Sequence, residues 1–139
     1  GIKNTTGSTV GSNMKNTGYV LMSQTEAVDQ TATTDTTNII IPAKSQLVTA
    51  SLLVSVVWNG AAATAGLGYV GDATAFTAAL AFTGVAIGII PITAGANKAR
   101  LDAWADVGDT DRRLLLTYNN TGTGDGWLTV TYMQAVDVG

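Results

Sequence analysis

Asp102, Asp106, Asp109 and Asp111, with Gly108 among them, are the one concentration of carboxylates in the chain. Carboxylates on a loop suit two kinds of chemistry: their hard oxygens can hold a calcium ion, and a facing pair can cleave a glycosidic bond. Calcium takes six or more ligands. Only four candidate side chains stand together, their spacing departs from an EF-hand loop, and no Glu occupies the twelfth position. For glycoside cleavage the only aromatic nearby is Trp104. Aspartate is also the residue that turns use for hydrogen bonds to the local backbone. These four are therefore expected to form turns, with no metal bound and no catalysis.

Other reactive constellations fail on context. Gly66-Leu67-Gly68-Tyr69-Val70-Gly71 has the spacing of a dinucleotide-binding turn, but such a turn needs a strand before it and a long helix after it. Here an Ala-rich stretch precedes it and only a short helical pattern follows. The chain has no His and no Cys, which removes the commonest general base, the thiolate nucleophile and the usual ligands of zinc and iron–sulfur sites. A serine nucleophile would need a lysine base, and no suitable motif surrounds Lys3, Lys15, Lys44 or Lys98. No catalytic residue and no cofactor are expected. Seven Lys and Arg, scattered through a chain of net charge -3, make no basic stripe for phosphate, so nucleic acid is not an expected partner.

Trp58, Trp104 and Trp127 remain as possible stacking surfaces. Trp58 continues the apolar face of its strand and is expected in the core, whereas Trp127 lies on the more polar face of its own and is the better candidate for a contact.

The elements that must position these residues are short, rich in Val, Ile, Thr and Leu, and separated by Gly, Asn and Asp, the pattern of an all-β domain. Strands are expected at Tyr19–Gln24, Asn38–Ile41, Leu47–Trp58, Leu67–Val70, Val85–Ile92, Ala99–Ala105, Arg112–Tyr118 and Trp127–Val136, with Glu26–Thr37 as a loop. In the long strand Val48, Ala50, Leu52, Val54, Val56 and Trp58 alternate with Thr49, Ser51 and Ser55; Leu53 and Val57 interrupt the polar face, which implies that it too is partly covered. Asp72 is placed to cap one short helix, Ala73–Ala81, in which Phe76, Ala79 and Leu80 share a face. About eight strands in 139 residues predict a two-sheet β-sandwich or jelly roll, here assigned to residues 18–139.

Residues 1–17 have no apolar periodicity and are Gly-, Asn-, Thr- and Ser-rich, so they cannot repay their own ordering entropy and read as a flexible arm. Lys3 and Lys15 give the arm a positive balance, and Ile2, Val10 and Met14 are isolated apolar anchors; with Trp127 these are the candidate partner-binding residues. The first fifteen residues lack the apolar run of a secretory leader, which points to production in a cytosol. Between Lys44 and Lys98 the only charged residue is Asp72. No membrane span is expected there, because Ala73–Asn97 is mostly Ala, Thr and Gly and is broken by Gly84, Gly88 and Pro91. So little charge implies burial against other subunits.

The order of Ile39-Ile40-Ile41-Pro42-Ala43-Lys44-Ser45, a long alternating strand to Trp58-Asn59-Gly60, Gly68-Tyr69-Val70-Gly71-Asp72-Ala73 and an Ala-rich segment with Phe76 resembles small structural proteins of tailed bacteriophages. The end of the chain is similar too, in Leu115-Leu116-Thr117-Tyr118 to Gly126 and Leu128-Thr129-Val130-Thr131-Tyr132. The resemblance spans about residues 38–136. It implies a capsid decoration (cement) or head-fibre protein of the virion, non-enzymatic, made in the host cytoplasm, often a homotrimer, and bound to the major capsid protein on the outside of the shell. A carbohydrate- or receptor-binding module of a phage tail or fibre is the alternative.

Overall fold

The structure, a computed structural model, describes residues 17–60, 63–81 and 87–137. Eight strands and one helix follow in the order β1 (Thr17–Asp29), β2 (Thr34–Ile41), β3 (Gln46–Val56), β4 (Thr64–Tyr69), β5 (Asp72–Ala81), β6 (Gly88–Ile92), α1 (Lys98–Ala105), β7 (Arg112–Tyr118) and β8 (Asp125–Asp137). They form two antiparallel four-stranded sheets, β1-β8-β3-β6 and β2-β7-β4-β5. First pairs with last, second with seventh, third with sixth and fourth with fifth, as if one long hairpin had been rolled up. This is the jelly-roll solution of the expected β-sandwich, and it is an arrangement in which long-range pairs dominate.

Between the sheets lie the alternating apolar residues: Leu52 and Val54 of β3, Ile90 and Ile92 of β6, Leu128, Val130 and Tyr132 of β8, facing Ile39, Ile41, Leu67, Phe76, Leu114 and Leu116 of the second sheet. The alternation of β8 is unbroken, with Leu128, Val130 and Tyr132 inward and Trp127 outward. In β3 it is broken twice, because register shifts between Leu47 and Thr49 and between Val54 and Val56 each insert one extra residue. A bulge turns the side chains after it to the other face. Leu47 is therefore buried and Val48 exposed, and Val56 also faces out, contrary to the simple alternation. Trp58 is in the core as expected, its ring 4.7 Å from that of Tyr118.

Three segments depart from expectation. Residues 73–81 are a strand and not a helix. Val70 and Gly71 make a tight turn, with Gly71 at φ +112°, and Asp72 opposes Tyr69 across it. The Asp72 carboxylate accepts from the Thr74 N–H at 3.4 Å, so it serves the turn and no helix. The strand then runs so close to β4 that a Cβ on Gly68 would overlap the backbone of Asp72 and Ala73. Alanine has high intrinsic helix propensity, but hairpin pairing on a glycine-bearing strand overrides it. Conversely, Ala99–Ala105 is helix and not strand: the Asn97 side chain accepts from the Arg100 N–H at 3.1 Å as an N-cap, and Lys98 bridges to Asp102 one turn on at 2.7 Å. Residues 26–37 are not simply a loop either. β1 continues to Asp29 and β2 begins at Thr34, threonine being well suited to strands.

Two buried polar residues close that corner. The Thr37 hydroxyl donates to the Leu114 carbonyl at 2.8 Å and accepts from the Ile39 N–H at 3.1 Å, where the β2–β7 register shifts. Gln30 is 1% exposed. Its side-chain nitrogen donates to the carbonyls of Asn59 at 2.7 Å and Asn120 at 3.3 Å, its side-chain oxygen accepts from the N–H groups of Asn59 at 3.1 Å and Gly124 at 3.3 Å, and its backbone bonds Gly122 and Gly124. Each buried group left unpaired costs about 1–3 kcal/mol. Gln30→Ala is expected to lower the unfolding free energy by about 3 kcal/mol or more in denaturant melts; a loss below about 1 kcal/mol would show that water can take the place of the amide.

Asp35 sits beside this corner and accepts from the Asp29 N–H and the Tyr118 hydroxyl, both at 3.3 Å. Burial raises its carboxyl above the ordinary 3.8, and repulsion from Asp29 and Glu26 adds to the effect, against the pull of the two hydrogen bonds. The folded chain thus holds the Asp35 proton more tightly than the unfolded chain. Its contribution to stability is fully present below 3.8 and is lost as pH rises through the folded value. Asp35→Asn keeps an acceptor for both bonds and removes the charge. We expect it to raise the melting temperature at about pH 7 and to narrow the difference between about pH 4 and pH 7. No gain at neutral pH would show the charge to be compensated.

Candidate interaction surfaces

The carboxylates and glycines that opened the sequence reading are accounted for locally. Asp102 pairs with Lys98, Asp106 accepts from the Gly108 N–H at 2.9 Å, Asp111 accepts from the Ala43 N–H at 2.9 Å, and Asp109 pairs with Lys44. They serve turns and helix ends. Gly66–Gly71 lies in β4 and the turn that follows, with a strand after it and no helix. The three tryptophans do not form one platform. Trp58 is core, Trp104 of α1 donates its ring N–H to the Phe76 carbonyl at 3.0 Å, and Trp127 is exposed on the outer face of β8.

What the fold exposes instead is the outer face of the β1-β8-β3-β6 sheet. The strand registers place Ala27, Trp127, Leu53 and Ile89 in one row across all four strands. The next row is Thr25, Thr129, Ser51 and Pro91, and the next Ser23, Thr131 and Thr49. The hydroxyls of Thr25 and Thr129 lie 2.9 Å apart, and Thr131 donates to Ser23 at 3.3 Å. No charged side chain falls in these rows. Ile89 is 71% exposed and Trp127 46%. The coverage expected of this face is not supplied by the described residues, and an exposed apolar row of this size marks a contact surface.

At one end the sheet narrows. β3 stops pairing at Gln46, opposite Met133, while β1 and β8 continue to Thr17 and Asp137, so that among the described residues the last four residue pairs form a ribbon of two strands. Such a ribbon is marginal in water. Val20 within the ribbon and Leu21 and Met22 just beside it are nonetheless all exposed, Leu21 by 63%. Consecutive apolar residues in a strand point to both faces at once, and this run was the unread signal: Val20-Leu21-Met22 within an otherwise Ser/Thr-rich strand. The expected arm adjoins this ribbon. Thr17, assigned to the arm, is the first residue of β1, and Ile2, Lys3, Val10, Met14 and Lys15 lie outside the described residues. Trp127 is at the opposite end of the same face.

No protein-family model matches the sequence, and comparison with curated proteins finds no match. The fold, however, is found in solved structures. A chain in the acidic stable capsid structure of Helicobacter pylori bacteriophage KHP30 superposes with a TM-score of 0.59 at 15% identity, covering 89% of this chain and 99% of that one. A chain in the capsid asymmetric unit of cyanophage Pam1 gives 0.51 at 17% identity, covering 94% of this chain and 96% of that one. The jelly roll seen here is thus a fold that also occurs, at nearly its full length, among the chains of phage capsids.

Proposed function

We propose that the chain is a non-enzymatic structural protein of a bacteriophage virion, a capsid decoration or cement protein that binds the major capsid protein on the outside of the shell and stabilises it. The observation that supports this reading is the match of fold, over 89% of this chain and 99% of the other, to a chain of a phage capsid structure. The surface chemistry agrees with it. The three charge-free rows of the outer sheet face, and Val20, Leu21 and Met22 at its other end, lose little electrostatic solvation on burial and gain about 25 cal/mol for each Å² of apolar surface removed from water.

The ribbon end and the residues before it are the attachment device. Ile2, Val10 and Met14 supply apolar anchors, Lys3 and Lys15 a positive balance, and strand addition along an exposed sheet edge supplies main-chain hydrogen bonds. Repetition over a lattice multiplies such contacts. The charge-poor strands β3 and β6, with Leu53 and Ile89 outward, supply contacts between copies in a homotrimer. Assembly takes place in the host cytoplasm.

Deleting residues 1–16 is expected to leave the melting temperature and far-UV circular dichroism nearly unchanged while weakening binding to particles that lack the protein at least tenfold, about 1.4 kcal/mol per subunit. Unchanged occupancy would overturn the role of the arm. In sedimentation, Ile89→Asp is expected to dissociate a trimeric wild type; a wild type that is monomeric both at micromolar concentration and on the particle would overturn the trimer.

A further inference from the structure

At the end of the sheet far from Thr17, a shallow pocket of about 270 Å³ is lined by Ala27, Val28, Asp29, Ser55, Asp125, Gly126 and Trp127. That is below the roughly 300–1,000 Å³ of sites for whole small molecules, and suits a single protruding group. Trp127 offers it an exposed aromatic ring. Asp29 and Asp125 are directly opposed across β1 and β8, two positions along from the Ala27–Trp127 pair and therefore on the same outer face. Like charges in that position are mutually destabilising.

Among the described residues, neither carboxylate is paired with a cation. The Asp29 carboxylate is held by the N–H and hydroxyl of Thr31, at 3.0 and 2.6 Å, which fix its orientation and hold its carboxyl below the ordinary value, so that it is charged. Asp125 has no side-chain partner among the described residues. The cations of the described residues are engaged elsewhere: Lys44 with Asp109, Lys98 with Asp102, Arg100 with the Thr74 carbonyl, Arg112 over the Tyr69 ring and Arg113 with the Thr37 carbonyl. A neutral ligand would leave both charges uncompensated while excluding water from them. The lining brings together an aromatic face and two carboxylates; a guanidinium, planar and with five donors in a fixed fork, can stack on the one and donate to the others, which the compact, strongly hydrated ammonium does less well. We propose that this pocket receives an arginine side chain of a partner protein. The inference does not depend on the capsid reading, since it concerns the isolated chain and the end of the sheet remote from the proposed attachment ribbon.

The test is a titration of the purified full chain with N-acetyl-arginine amide, followed by the Trp127 indole N–H and Asp125 amide resonances. Saturable shifts are expected, absent with the neutral citrulline analogue, and weakened several-fold between about 0.05 and 0.5 M salt. Asp125→Asn should weaken binding about fivefold or more and at the same time raise the melting temperature, because it relieves the opposed charges; Trp127→Ala should also weaken it. Equal shifts with the citrulline analogue, saturable shifts with glucose or galactose, or shifts with calcium alone would each overturn the proposal, as would no saturable response to the arginine probe.

Discussion

One buried side-chain amide holds the end of the sandwich where the chain most often changes sheets. β1 belongs to one sheet and β2 to the other, and Gln30 stands at the crossing. Its amide reaches Asn59 in the segment after β3 and the loop between β7 and β8, and its own backbone bonds that loop again. A glutamine in an apolar interior is costly unless both its oxygen and its nitrogen are satisfied. Here both are, twice each, and the bonds run to backbone groups that no strand ladder serves. The corner is therefore specified by geometry as well as by apolar packing, and the neighbouring Trp58–Tyr118 contact and the Tyr118–Asp35 hydrogen bond are built on it.

Much of this architecture was legible because period-two alternation is a strong signal where one face of a strand is buried. Leu128, Val130 and Tyr132 were readable as core, as was Trp58, and the all-β class followed from the spacing of such segments. The misread segments share a cause. In 73–81 and 99–105 alanine dominates, and alanine carries little information about burial, so the outcome turned on partners far away in sequence: a glycine-bearing strand for the first, an asparagine cap and an ion pair for the second. The bulges of β3 were illegible for a similar reason, since an extra residue is defined only against the strand opposite. Of the contact surface, Trp127 could be found from its place on a polar face. The row it joins with Ala27, Leu53 and Ile89 could not, because four strands from distant parts of the sequence meet there.

The same sheet presents two chemically different ends. Toward Thr17 it narrows to two strands beside the exposed Val20, Leu21 and Met22, and toward Asp29 it carries an indole ring next to a cross-strand pair of carboxylates. Between them lie rows of hydroxyls already bonded to one another, which leaves few donors and acceptors wanting water. Attachment by burial at one end and recognition by charge at the other can then coexist on one rigid plate, without either interfering with the field or the solvation of its neighbour. The distance between the ends is a matter of strand length: thirteen residues at about 3.4 Å each separate them by roughly 40 Å.

The nested pairing also sets an order of events in time. The β4–β5 hairpin closes a turn of two residues, whereas Thr17 and Asp137 are 120 positions apart. Loop closure costs rise with the logarithm of the intervening length, and contacts of high sequence separation are slow to form. Each inner pair that zips shortens the effective loop for the next, so the termini come together last. The ribbon is thus the final element to mature, on a chain whose core is already built. Its edges are open longest, and during that interval a neighbouring strand can be captured without unfolding anything else.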